Sequence, residues 1–141
     1  MKRALAVLAL TGSLIIASSA TAQDSGRLHL NVETGTEAGS VMIALYDSET
    51  AYEGGAPSRV AHIDIENGER TVVFEGLALG DYGIKAFHDV NNNAKMDTNP
   101  FGMPVEPYAF SNNAVGNMGP AKWDRARFTV DGATQHSLTL R

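Results

Sequence analysis

The chain has 141 residues, contains no cysteine and carries a formal net charge of −5 at pH 7. Without cysteine it forms no disulfides and has no site for a lipid-modified N-terminal cysteine. An acidic chain is also a poor candidate for binding nucleic acid. We expect one domain with its own hydrophobic core, because domains most often contain about 100–150 residues.

The first 22 residues are predicted to be a secretory signal peptide. Lys2 and Arg3 form a short positive segment, residues 4–17 are almost wholly apolar, and Ala20-Thr21-Ala22 matches an A-x-A cleavage site. The alternative is a membrane anchor, but the apolar run is shorter than the roughly 20 residues that a spanning helix needs. We therefore expect export to the periplasm or the medium, a mature domain over 23–141, and no membrane-spanning segment.

Alternating apolar and polar residues predict short strands along most of the mature chain. No segment sustains helical periodicity for three turns, and glycine-containing breaks separate the alternating runs. About seven strands with turn signals every 8–12 residues or so are typical of an all-β fold, an antiparallel immunoglobulin-like or prealbumin-like β-sandwich. The predicted strands are 27–32, 41–46, 60–65, 71–74, 82–88, 125–130 and 136–140, with a loop at 52–58, a turn at Asn67-Gly68 and a link at 75–80.

Residues 90–123 show little strand pattern. A structureless loop of that length inside a compact domain is uncommon and is usually functional or disordered. Aromatic, methionine and proline residues are frequent in it, which argues against disorder. We therefore predict a packed excursion that folds over one end or one face of the sandwich.

The excursion begins with a possible calcium-binding loop. Oxygen-bearing side chains occupy the first, third, fifth and ninth positions of a twelve-residue calcium loop. The mature chain is also acidic, which favours cations. Without Lys2 and Arg3, 9 of the 11 basic residues remain against 16 acidic ones, a net charge of −7. Two positions depart from the pattern, since Ala94 replaces the glycine at the sixth and Pro100 replaces the glutamate at the twelfth. The candidate ligands are Asp89, Asn91, Asn93 and Asp97, with Glu106 as a carboxylate that folding would have to bring near.

The same residues could instead form a polar turn without an ion. Asparagine tolerates left-handed backbone and bonds its own main chain, so Asn91-Asn92-Asn93 suits a tight turn. His88 is interpreted as a side chain at a strand end rather than a metal ligand, because it lacks clustered nitrogen or sulfur partners. The sequence leaves the ion loop and the empty turn open.

An apolar-ligand or peptide site is a second possibility. Tyr108, Phe110 and Trp123 could line a groove, with the polar residues 111–113 at its rim. The alternative is that these rings fill the core, since large aromatic side chains are mostly buried. The unidentified partner would be a protein, a peptide or a small molecule.

A hydrolase is the third possibility, and the residues favour it least. The four histidines lie among alternating strand residues, and neither a serine in a nucleophile elbow nor a cysteine is present. We therefore expect no enzymatic activity and no cofactor other than calcium.

Several motifs together resemble a known family. Glu75-Gly-Leu-x-x-Gly-x-Tyr-x-Ile-x-Ala-Phe-His-Asp-x-Asn-x-Asn is followed by Gly102-x-Pro-x-Glu-x-Tyr-x-Phe-Ser-Asn-Asn and Gly119-Pro. This combination resembles the small exported bacterial proteins of domain-of-unknown-function family 2141, and the likeness extends from about Leu28 to the C-terminus. The strand start before His88 also resembles that of transthyretin-like and collagen-adhesin B-type sandwiches, some of which carry calcium-binding Asp-x-Asn-x-Asn loops. The resemblance implies a sandwich and no established activity.

Overall fold

The computed structural model describes residues 24–141 as a β-sandwich of one three-stranded and one five-stranded sheet. The all-β sandwich predicted from the sequence is confirmed. The predicted signal peptide lies outside the described residues. The strands are β1 (Ser25–Glu33), β2 (Ser40–Tyr46), β3 (Arg59–Asp64), β4 (Thr71–Ala78), β5 (Gly80–Asp89), β6 (Tyr108–Phe110), β7 (Phe128–Val130) and β8 (Ala133–Thr139), with short helices α1 (Glu49–Gly54) and α2 (Trp123–Ala126).

The strand order places the first and last strands side by side. In the three-stranded sheet β1 lies between β4 and β8, antiparallel to β4 and parallel to β8. The five-stranded sheet has the order β3-β2-β5-β6, and β7 pairs with the start of β5. The turn at Asn67-Gly68 therefore leads from one sheet to the other, because β3 and β4 belong to different sheets.

The core lies between the two sheets and is built from their alternating inward residues. Leu28 and Leu30 of β1 and Ile84 of β5 are completely buried. Truncating one such leucine to alanine typically costs about 2–5 kcal/mol, a large share of a domain's stability. The other buried apolar residues of this cluster are Val32, Val41, Ile43, Leu45, Ile63, Ile65, Phe74, Leu77, Tyr82, Ala86, Ala109, Val130, Leu138 and Leu140.

Three local predictions were wrong. The link at 75–80 is mostly strand, because β4 continues to Ala78 in its pairing with β1. The loop at 52–58 begins inside α1, whose N-terminus is capped by the Ser48 side chain accepting from the Ala51 N–H at 3.2 Å. The strand at 125–130 is α2 followed by the three-residue β7, so tertiary contacts override the local alternation there.

The long excursion contains a strand that the sequence did not predict, and several of its large apolar side chains are exposed: Phe101, Met103, Val105, Val115 and Met118. Residues 90–107 form an irregular arm, which we call the first arm. β6 follows and pairs with β5, and a 3-10 turn covers Ser111–Asn113. Residues 114–122 form a second irregular segment, the second arm, which leads into α2. Within residues 24–141 no helix is both long enough and apolar enough to cross a membrane.

Candidate functional site: an apolar cavity beside a polar loop

The outward face of the five-stranded sheet is apolar, where a solvent-facing sheet surface is normally polar. Strand pairing sets its outward side chains in two rows that cross four strands. One row consists of His62, Met42, Phe87 and Tyr108, and the next of Val60, Ala44, Lys85 and Phe110. Because the side chain of Ala44 is small, the surface of the second row has a depression at its centre. We call these two rows the floor.

The two arms lie beside the floor and flank a cavity of about 1190 Å³ that is open to solvent on one side. Ligand-binding pockets usually measure roughly 300–1,000 Å³, so this volume can hold a drug-sized or longer molecule. All four methionines of the described residues line the cavity: Met42 from β2, Met96 and Met103 from the first arm, and Met118 from the second. Methionine side chains are flexible and polarizable, and they are frequent at surfaces that adapt to varied apolar ligands.

Both arms also carry exposed apolar side chains at or next to residues that line the cavity. Phe101 is 90% exposed, Val115 83% and Met118 fully exposed. Exposed apolar residues that are grouped rather than scattered mark interaction sites. The arms therefore expose apolar surface to water beside the cavity. This exposure is unfavourable unless a ligand or partner covers the surface.

A second small core closes one end of the floor. It is formed by Tyr46, Tyr52, Phe110, Ala121 and Ala126. The Tyr52 hydroxyl donates to the Ala121 carbonyl at 3.0 Å, which fixes the second arm to α1. Gly83 lets the rings lie close to β5, since a Cβ there would come within 2.9 Å of the Tyr52 ring and 3.0 Å of Trp123.

Among the described residues that line the cavity, Lys85 is the one with a fixed charge. Its Nζ donates to the Tyr52 carbonyl at 2.5 Å and lies 4.4 Å and 5.1 Å from the ring centroids of Tyr52 and Tyr46. Burial lowers the pKa of Lys85, because the ammonium loses water; the nearby Glu53 carboxylate acts in the opposite direction.

The three aromatic candidates from the sequence occupy different places. Tyr108 is 43% exposed and lines the cavity, while Phe110 lines it and is largely buried in the second core. Their ring centroids are 5.7 Å apart in an edge-to-face arrangement. Trp123 does not line the cavity; it packs on Tyr52 with ring centroids 5.6 Å apart. The structure thus brings together two of the three.

The predicted ion loop adopts part of the backbone geometry of a calcium loop. The carboxylate of Asp89 is buried and accepts from the N–H groups of Asn93 at 3.1 Å and Ala94 at 2.7 Å. Ala94 has a left-handed backbone with φ of 62°, at the sixth position, where a calcium loop has glycine.

The other loop side chains, those of Asn91, Asn93 and Asp97, converge and are hydrogen-bonded to one another. The side-chain amides of Asn91 and Asn93 donate to the two oxygens of Asp97, at 2.6 and 2.8 Å. Their own amide oxygens accept from the backbone N–H groups of Asn93 and Lys95. Such bonds are those of a self-contained asparagine turn.

Folding brings Glu106 to the base of the loop. Its carboxylate is 8% exposed and accepts from the N–H groups of Val90 and Asp97, both at 3.0 Å. Within residues 24–141 no group of three or more His, Cys, Asp or Glu side chains is arranged to hold a metal ion. His88 is buried at the end of β5 with its Nε2 2.6 Å from the Ala38 carbonyl.

The sequence identified two of the eight floor residues, Tyr108 and Phe110, and missed the other six: Met42, Ala44, Val60, His62, Lys85 and Phe87. A signal for it exists in β2, whose outward residues Met42, Ala44 and Tyr46 are as apolar as its inward ones. A strand that is apolar on both sides indicates a second covered face. That signal was hidden because the inward alternation already accounted for the strand.

The fold and the site together define a two-sheet β-sandwich protein with an apolar cavity on the outer face of its larger sheet. The chain belongs to the family described as an uncharacterized protein conserved in bacteria (DUF2141), whose model matches residues 31–137. The resemblance inferred from the motifs is therefore confirmed. No curated protein and no solved structure gave a significant match to the chain.

Proposed function

We propose that this chain is an exported, non-enzymatic binding protein whose cavity takes an apolar small molecule. The signal-peptide pattern of the first 22 residues supports export. Two of the histidines, His88 and His136, have a ring nitrogen bonded to a backbone group, which favours structural roles for them. The cavity is the feature that carries the proposal.

The single observation behind it is the apolar floor flanked by methionine-bearing arms. Water in contact with Met42, Phe87 and the arm methionines is unfavourable, at roughly 25 cal/mol per Å² of apolar surface. A ligand with a hydrocarbon or aromatic body would remove that surface from water. A protein that only needed to be stable would gain from polar residues at these positions.

The experiment is a titration of the mature protein with a fluorescent probe whose emission rises in apolar surroundings, such as 1-anilinonaphthalene-8-sulfonate. We expect saturable binding by the wild type and at least a tenfold loss of affinity in Ala44→Trp, because the indole would fill the low centre of the floor. Ala78→Trp is the matched control, since Ala78 is exposed at the end of β4 in the other sheet. A wild type that leaves the probe dark, or an Ala44→Trp variant that binds like the control, would contradict the proposal.

The backbone of Ala94 supports a second proposed function, in which residues 89–97 bind calcium. The left-handed conformation at the sixth position and the convergence of Asn91, Asn93 and Asp97 favour it. Binding would require the two asparagine amides to turn their oxygens toward the ion, which breaks their bonds to Asp97. Glu106 would remain at the loop base as a further carboxylate.

Calcium binding is tested by thermal unfolding with millimolar calcium chloride and with a chelator. If residues 89–97 hold the ion, calcium at a hundred times its dissociation constant adds about 2.7 kcal/mol to the free energy of unfolding and raises Tm. Asp97→Ala should lose the shift. Asp64→Ala should retain it, because Asp64 serves a different turn, where it accepts from Asn67. Identical melting curves with and without calcium would end this second proposal.

A further inference from the structure

Lys85 occupies a place in the cavity that a purely apolar ligand would not need. It points outward from the middle of the floor, between Ala44 and Phe110. The floor positions around it carry apolar or aromatic side chains. A cation among them is unfavourable because it is partly removed from water, and the lowered pKa of Lys85 reflects that cost.

Nothing in residues 24–141 forms a salt bridge with Lys85. The nearest acidic group that acts on it is Glu53, but that carboxylate is already occupied: it accepts from the Trp123 N–H at 3.1 Å and lies 3.5 Å from the Lys122 ammonium. Within residues 24–141 the direct contacts of the Lys85 ammonium are a carbonyl oxygen and two aromatic faces, and Glu53 acts on it without forming a salt bridge. These interactions hold the ammonium in place without neutralising it.

A structural role for Lys85 alone would be to cap α1, whose last carbonyls lack partners within the helix. Its bond to the Tyr52 carbonyl does serve that purpose. An exposed lysine beside the helix could do so without being placed in the floor. The position of Lys85 is explained better by a ligand that brings a negative charge into the cavity.

We propose that the ligand is an apolar carboxylate, with its anionic group on the Lys85 ammonium and its hydrocarbon body over Met42 and Phe87 between the two arms. This rests on the proposed function of the cavity and names the class of ligand. One lysine balances one negative charge, which fits a carboxylate better than a dianionic phosphate. The volume of about 1190 Å³ leaves room for a long chain.

The experiment compares three ligands of equal chain length and different head group: dodecanoate, dodecanol and dodecylamine, each below its critical micelle concentration. Displacement of the fluorescent probe from the mature wild type at pH 8 gives the three affinities. We expect dodecanoate to bind on the order of tenfold tighter than dodecanol, the gain typical of one charge-assisted hydrogen bond, and dodecylamine to bind weakest. Lengthening the carboxylate should tighten binding roughly fourfold per methylene until the cavity is full.

The matched variants are Lys85→Met, which keeps the length of the side chain without its charge, and Lys85→Arg, which keeps the charge. In Lys85→Met the ratio of dodecanoate to dodecanol affinity should fall to about one, and in Lys85→Arg it should stay well above one. Equal binding of dodecanoate and dodecanol by the wild type overturns the carboxylate proposal but leaves the apolar cavity standing. If none of the three displaces the probe, both proposals fail. The wild-type comparison stands even if a variant does not fold.

Discussion

At the scale of single residues, Ala94 has a left-handed backbone, with φ of 62°. An L-residue in this conformation costs about 1–2 kcal/mol, whereas glycine adopts it freely but loses more entropy on folding. We therefore predict that Ala94→Gly raises the free energy of unfolding by roughly 0.5–1 kcal/mol. The measurement is urea denaturation of the mature protein without calcium.

Ala114→Gly is the control for this substitution. Ala114 has an ordinary φ of −64°, so glycine there relieves no strain; it adds the entropic cost and removes a methyl group that packs against the second core. It should leave stability unchanged or lower it. An Ala94→Gly variant no more stable than Ala114→Gly would show that the loop in solution avoids the left-handed conformation.

At the scale of elements, the Glu106 carboxylate bridges two parts of the first arm. Glu106 accepts from Val90 at the start of the arm and from Asp97 in its middle. Glu106→Ala would leave both N–H groups without that partner, at up to about 1–3 kcal/mol for each of these partly buried donors. We predict that the arm then opens more often and that trypsin cuts after the exposed Lys95 on the order of tenfold faster.

The matched control is Glu66→Ala, which removes an exposed carboxylate from the turn between β3 and β4. Its rate of cleavage after Lys95 should equal that of the wild type. Limited proteolysis followed by mass spectrometry identifies the cut and its rate. Equal rates for Glu106→Ala and the control would mean that other contacts hold the arm.

The elements also show which parts of the fold the sequence predicts and which it does not. Strands such as β1 and β2 were predictable because their inward residues alternate over six or more positions and the core rewards that pattern. β6 was not, since three residues give no periodicity and its existence depends on pairing with Phe87 and its neighbours in β5. α2 was missed for a similar reason, because its four residues are placed by contacts with Tyr52 and Glu53 that are about 70 positions away in the chain.

The candidate site follows the same division. The polar loop is local, so spacing alone identified Asp89, Asn91, Asn93 and Asp97, and its hydrogen bonds indeed connect those residues. The cavity floor is made by the register of four strands, which no local pattern encodes. Lys85 looks like an ordinary outward residue in the sequence and becomes notable only when its neighbours across the strands are known.

At the scale of the whole molecule, His136 connects the two sheets. It lies on β8 in the three-stranded sheet, and its ring stacks on Phe128 of β7, which pairs with β5, with centroids 4.4 Å apart. Its Nε2 accepts from the Asn112 N–H at 3.0 Å in the 3-10 turn that follows β6. Acceptance requires an unprotonated nitrogen, so the contact exists only while the imidazole is neutral.

Burial lowers the pKa of His136 below its ordinary value of 6.5. The unfolded chain therefore takes up a proton at this residue at a higher pH than the folded chain does. The stabilisation is complete above pH 6.5 and is lost progressively as the pH falls from there toward the lowered pKa, because the unfolded state then binds more protons.

We predict that Tm falls between pH 7.5 and pH 5.5 and that His136→Gln removes a measurable part of the fall, since its amide oxygen can accept the Asn112 N–H without titrating. His29→Gln, on the exposed face of the adjacent β1, should keep the wild-type dependence. Parallel pH profiles for wild type, His136→Gln and His29→Gln would show that another group links the stability of the sandwich to pH.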